Sequence, residues 1–144
     1  MRRIIADDSA VFSFSPEKVY SAVSDMSTYE KWWGKKVKVK VLELSPQGVG
    51  SKVEVHAVGG WFRCEIISLK PFEEAGILYY DGVQKGKGIW SIEKLGAGKT
   101  KLSYSIDLEP NGFVPRFLSN FMNFSKLHSQ AMKDLFSGLE NFLA

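Results

Sequence analysis

His128 and Ser125 stand three residues apart on a side of the chain that is otherwise apolar. At 100° of rotation per residue, Val114, Phe117, Leu118, Phe121, Phe124, Met132, Leu135, Phe136, Leu139, Phe142 and Leu143 fall on one stripe of a predicted helix over 114–143, and Ser125 and His128 fall in its middle. An imidazole titrates near neutrality, so His128 can serve as a polar anchor or as a general acid/base. A serine becomes a nucleophile only beside a base. The spacing permits contact with His128, but no third orienting group is evident. The alternatives are structural: a core histidine bonded to Tyr104 or Trp90, and a serine bonded back to its own helix. An unpaired buried polar group costs about 1–3 kcal/mol, so His128 needs a partner in either case. His128 is the candidate catalytic residue. Ser125, His128, Phe121 and Met132 are candidate ligand contacts, because a stripe interrupted in this way faces a cavity more naturally than a dry core.

The other reactive side chains form weaker patterns. Tyr80, Trp90 and Tyr104, with Tyr79, carry aromatic bodies with polar tips suited to lining a pocket, or to plain packing. Arg63 and Glu65 share one face of a strand and Phe62, Cys64 and Ile66 the other, which assigns Arg63 to solvent and Cys64 to the core. A lone cysteine has no intrachain partner, and without nearby positive charge its thiol is unreactive. His56 alternates with Lys52 and Glu54 and reads as exposed. Two histidines far apart in sequence offer no metal-ligand spacing, so neither metal nor cofactor is expected.

These residues must be positioned by a definite series of elements. Ser9–Phe14 alternates as a first strand. Ser15-Pro16-Glu17 starts a helix, with Ser15 as cap and Pro16 at the first position. A second short helix runs through Tyr29–Trp33 and ends at Gly34. About six strands follow, separated by Ser45-Pro46-Gln47-Gly48, Gly59-Gly60, Pro71–Glu74, Asp81-Gly82 and Gly96-Ala97-Gly98. Lys36, Lys38 and Lys40 alternate with valines, as on the solvent face of an edge strand. The chain then closes with the long helix, whose start is obscured by Pro115. Thirty helical residues would span about 45 Å. The expected fold class is α+β: a curved antiparallel sheet of about seven strands wrapped around a long C-terminal helix, with two short helices after the first strand.

Composition narrows the function classes. A chain of 144 residues, 44% hydrophobic and 24% charged, fits a single domain over 1–144 with its own core. The net charge of +3 and the dispersed lysines argue against nucleic acid. No segment is apolar enough to span a bilayer. Transient in-plane membrane contact stays open, although the polar face of the last helix is richer in Ser and Asn than in Lys. No apolar signal region follows Met1-Arg2-Arg3, so the expected location is cytoplasmic.

The order of elements resembles the helix-grip fold shared by birch-pollen-allergen-like proteins, START-type lipid-transfer domains and polyketide cyclase/dehydrase-like proteins. Phe14-Ser15-Pro16-Glu17-Lys18-Val19-Tyr20, followed by Asp25, Tyr29 and Trp32-Trp33, is similar to the cyclase-like opening. There an aromatic second helix closes the cavity mouth, which adds Trp33 to the candidate ligand contacts. Gly86–Ile92 and Gly98–Leu102 resemble its penultimate hairpin. Gly48-Val49-Gly50 is shorter than the glycine-rich loop of the plant allergens. The resemblance implies a cofactor-free protein that binds or carries a hydrophobic small molecule, such as a lipid, an isoprenoid quinone or a polyketide-like ring, between sheet and helix. The second expectation is a cyclase/dehydratase-type enzyme using His128. The third is a co-chaperone-like interaction module.

Overall fold

Ile4, Ala6, Asp8, Ala10 and Phe12 alternate in one phase, and the first strand uses all of them. In the computed structural model, which describes residues 2–144, β1 spans Ile4–Phe12 and so begins five residues before Ser9. Helix α1, Pro16–Val23, starts as expected: the Ser15 hydroxyl accepts from the Lys18 N–H at 3.2 Å, with Pro16 in the first turn. Val19, Ala22 and Val23 are its buried side. A 3-10 turn, Met26–Thr28, is capped by Asp25, which accepts from Ser27 N at 3.0 Å. Helix α2, Tyr29–Trp32, follows directly.

Six further strands complete the sheet: β2 Lys38–Glu43, β3 Lys52–Ala57, β4 Gly60–Lys70, β5 Glu74–Gly82, β6 Gln84–Gly96 and β7 Lys99–Pro110. The order is β1-β7-β6-β5-β4-β3-β2, and every neighbouring pair is antiparallel. The lysine-bearing strand β2 is an edge, as its alternation predicts. Register shifts at Val41/Glu43, Ile66/Ser68 and Lys94/Gly96 add the local bend that bulges supply, and the sheet curves. Its concave face carries Phe12, Val53, Val55, Cys64, Ile66, Ile77, Tyr79, Trp90, Leu102, Tyr104, Ile106 and Leu108, all buried.

The final helix is a correction to the sequence reading. The single helix over 114–143 is two helices, α3 Phe113–Leu118 and α4 Phe124–Leu143. Ser119 donates to the Arg116 carbonyl at 2.7 Å, and the Asn123 side chain caps α4 by accepting from Lys126 N at 3.1 Å. The break resets the helical phase, so residues before Asn123 do not share a face with those after it. At 20 residues α4 is about 30 Å long. Its buried stripe is Met132, Phe136, Leu139 and Leu143, spaced as one helix face. Gly138 permits this docking, because a Cβ there would sit 2.2 Å from the Trp32 carbonyl oxygen. Among the described residues, no helix is long and apolar enough to cross a membrane.

Candidate functional site

Strand register brings the inward aromatic residues together. Trp90 pairs with Tyr104 across β6 and β7, and Tyr104 pairs with Asp8 across β7 and β1. The Trp90 and Tyr104 rings stack at 4.1 Å. One strand further, the hydroxyls of Tyr79 and Tyr104 are 2.6 Å apart. That bond passes over β6 at Gly88, where any Cβ would lie 2.4 Å from the Tyr104 hydroxyl. From the helical side, Phe136 meets Trp90 at 6.5 Å and His128 lies over Tyr104 at 6.2 Å. From α2, Trp32 meets Trp90 at 5.9 Å, and Trp33 stacks on Tyr29 at 4.9 Å. The space between α2, the sheet and α4 is therefore occupied by aromatic rings. Two surface hollows open outside it, the first of them bordered by Phe136. One of about 340 Å³ is bounded by Ala10, Phe12, Phe136 and Glu140; the other, of about 420 Å³, by Tyr20, Asp25, Gln47 and Leu69.

Electrostatics separate the polar groups in this interior. His128 is half-buried as a residue, but its Nδ1 is sealed from solvent and has no hydrogen-bond partner. Burial pushes the His128 pKa down to about 4, and the nearby negative charge of Asp8 opposes that shift only in part. The imidazole is therefore neutral at pH 7. Burial raises the phenols of Tyr79 and Tyr104 and the thiol of Cys64, so all three stay protonated. Trp33 Nε1 and Trp90 Nε1 are also buried without partners. Trp90 Nε1 lies toward the Tyr29 hydroxyl without bonding to it, while that hydroxyl donates to the Val23 carbonyl. Among the described residues, no three His, Cys, Asp or Glu side chains group closely enough to hold a metal.

The structure gathers His128, Met132, Trp33, Trp90 and Tyr104 into this interior and leaves three expected contacts outside it. Phe121 precedes the helix break and is 75% exposed. Tyr80 has the opposite strand parity to Tyr79, so it lies on the outer face beside Arg63 and Lys52. Ser125 accepts from the Ile5 N–H at 3.0 Å. That contact is to the free edge of β1 and not to its own helix. Arg63 stays outside as predicted: it bonds Glu54 at 2.9 Å and Asp81 at 3.3 Å, and His56 meets the same Glu54 at 2.8 Å.

Asp8 is the interior group that the sequence reading missed. It is half-buried on the concave face, and its carboxylate accepts from the Ser129 hydroxyl at 3.0 Å. Its phase with Ala6, Ala10 and Phe12 is the signal that marks it.

The fold and this aromatic interior define a class, and the sequence matches it. The chain belongs to the family described as polyketide cyclase / dehydrase and lipid transport, whose profile matches residues 3–139. No curated protein matches the sequence. Among solved structures, the chain is similar to a protein from Thermus thermophilus, with 18% identity, TM-score 0.78 and 96% of each chain covered. It is also similar to a START superfamily protein from Mycobacterium smegmatis, with 21% identity, TM-score 0.75 and 96% of each chain. The Zhui aromatase/cyclase from Streptomyces sp. R1128 is similar at 14% identity and TM-score 0.70, over 95% of this chain and 94% of that one. At these identities the likeness is one of fold.

Proposed function

We propose that the protein binds or carries a hydrophobic small molecule bearing a few oxygen atoms, a lipid, an isoprenoid quinone or a polyketide-like ring, between the concave sheet and α4. The observation that carries this reading is the set of buried side-chain polar atoms without partners among the described residues, Trp33 Nε1, Trp90 Nε1 and His128 Nδ1. Each unsatisfied group costs about 1–3 kcal/mol. Three together are comparable to a large part of the roughly 5–15 kcal/mol that holds a domain folded. A ligand with acceptor oxygens answers both indoles, and a neutral imidazole offers either a donor or an acceptor. The surrounding rings supply the mostly apolar lining such sites share. Because those rings now fill the interior, entry requires α2 with Trp32 and Trp33 to shift, and apparent affinity is reduced by the cost of opening.

The family description also names cyclase and dehydrase chemistry, which favours a second reading with His128 as the base. Its depressed pKa weighs against that role, since a general base works best near the operating pH. Native mass spectrometry of freshly purified protein, followed by solvent extraction, tests the first reading. A retained apolar compound supports it. It is refuted by a clean unliganded mass together with unchanged tryptophan emission on titration with a quinone, a fatty acid and an anthraquinone. Turnover of a polyketide-like substrate that is lost in His128→Ala, with the fold intact, would establish the second.

A further inference from the structure

Between Glu109 and Asp134 the chain carries Arg116, Lys126 and Lys133 and no acidic residue. Helix α3 lies in this stretch, and none of its residues is buried. Phe113 is 85% exposed, Phe117 54% and Phe121 75%. Their rings form a row, with centroids 6.5 Å apart for Phe113 and Phe117 and 5.3 Å for Phe117 and Phe121. At about 200 Å² per phenylalanine, these rings leave roughly 400 Å² in water. Val114 and Met122, also exposed, extend the patch to the size that marks functional surfaces. The core does not need this row, because α4 supplies the stripe from Met132 to Leu143 that packs on the sheet.

We propose that the α3 ridge docks the protein onto an anionic lipid bilayer. Phe113, Phe117 and Phe121 enter the boundary between headgroups and acyl chains, and Arg116 and Lys126 meet the lipid phosphates. Charge argues for this partner. Cations flank the rings within an acid-free stretch, and a third, Arg2, is held at the end of α3 by its backbone N–H donating to the Ser119 hydroxyl at 3.2 Å. Of the acids around the stretch, Asp107 and Glu109 are paired with Arg3 on the outer face of β7 and Asp134 with Lys36, and Asp8, which bonds Ser129, lies on the concave face. A stable protein interface takes about 800 Å² from each partner, roughly twice the area of the three rings. Aromatic anchors beside a few cations suffice for an interfacial lipid site. The ridge lies outside the interior, so the proposal holds whether or not the interior takes a ligand.

Co-sedimentation of the full chain with vesicles tests it. Vesicles of mixed phosphatidylcholine and phosphatidylglycerol should bind about tenfold or more tightly than pure phosphatidylcholine, given about 1 kcal/mol for each cation at the surface. Added salt should weaken that binding. Phe113→Ser with Phe121→Ser should reduce partition about tenfold, and Arg116→Gln with Lys126→Gln should remove the preference for anionic vesicles. Melting temperatures should not change, since all four side chains are exposed; Phe113→Ser alone serves if the pair melts early. Equal binding to both vesicle types, or binding indifferent to the phenylalanine changes, overturns the proposal. So does a concentration-dependent dimer in light scattering that the same changes abolish, because it assigns the ridge to a second copy of the chain.

Discussion

Lowering the pH should destabilise this protein through one side chain. In the unfolded chain His128 titrates at about 6.5, the ordinary value. In the fold, burial pushes it down to about 4, against a partial pull from Asp8. Between these values the unfolded state binds more protons than the native state, so stability rises with pH and is lost as pH falls through the window. Each unit costs up to about 1.4 kcal/mol, which gives roughly 2.5 kcal/mol by pH 4.5 and nothing above pH 7. The measurement is urea unfolding of wild type and His128→Gln at pH 7.5, 6.5, 5.5 and 4.5. Other groups titrate in both proteins and cancel in the difference. The wild-type curve should fall relative to the variant by about 2.5 kcal/mol between the ends, within the error of linear extrapolation. Two curves parallel to within about 0.5 kcal/mol would refute the burial of a neutral imidazole, and with it the polar interior proposed for binding.

Gly138→Ala should lower the melting temperature by several degrees, since its methyl group would meet the Trp32 carbonyl oxygen at 2.2 Å and overpacking typically costs about 1–3 kcal/mol; calorimetry reads it. Asn123→Ala should cost about 0.5–2 kcal/mol through the lost α4 cap, visible as a shifted urea midpoint with an unchanged slope. Gly88→Ala should separate the Tyr79 and Tyr104 hydroxyls and alter near-UV circular dichroism, while Tyr80→Phe on the outer face should leave ligand retention as it is.

Much of this architecture can be read from residue alternation and caps. Ser15 and Pro16 mark the start of α1, and the valine–lysine alternation identifies β2 as an edge. His128, Trp90 and Tyr104 share the interior because helical and strand periods alone place them there. The break at Asn123 was hidden, because the hydrophobic phase continues through Phe121 and Phe124 as if the helix did. Only the capping chemistry of Asn123 contradicts it. Asp8 is hard to read because the acidic pair Asp7-Asp8 interrupts the apolar alternation, and only the full strand from Ile4 shows its parity with Ala10 and Phe12. Tyr80 could not be assigned from sequence: two adjacent tyrosines must face opposite ways, and the bulges of β4 against β5 decide which one turns inward. The filled interior was equally hidden, since the pattern that lines a cavity is the same pattern that closes it.

The tryptophans have a spectroscopic consequence. Trp33 and Trp32 are 6.1 Å apart and Trp32 and Trp90 5.9 Å, close enough for their excited states to couple, whereas Trp61 sits outside under the Arg63 guanidinium at 5.0 Å. The interior therefore carries its own chromophore. Any motion of α2 that parts Trp32 from Trp90 should change the exciton signal in the near ultraviolet before it changes secondary structure, and the protein can report the opening of its own interior without an added dye.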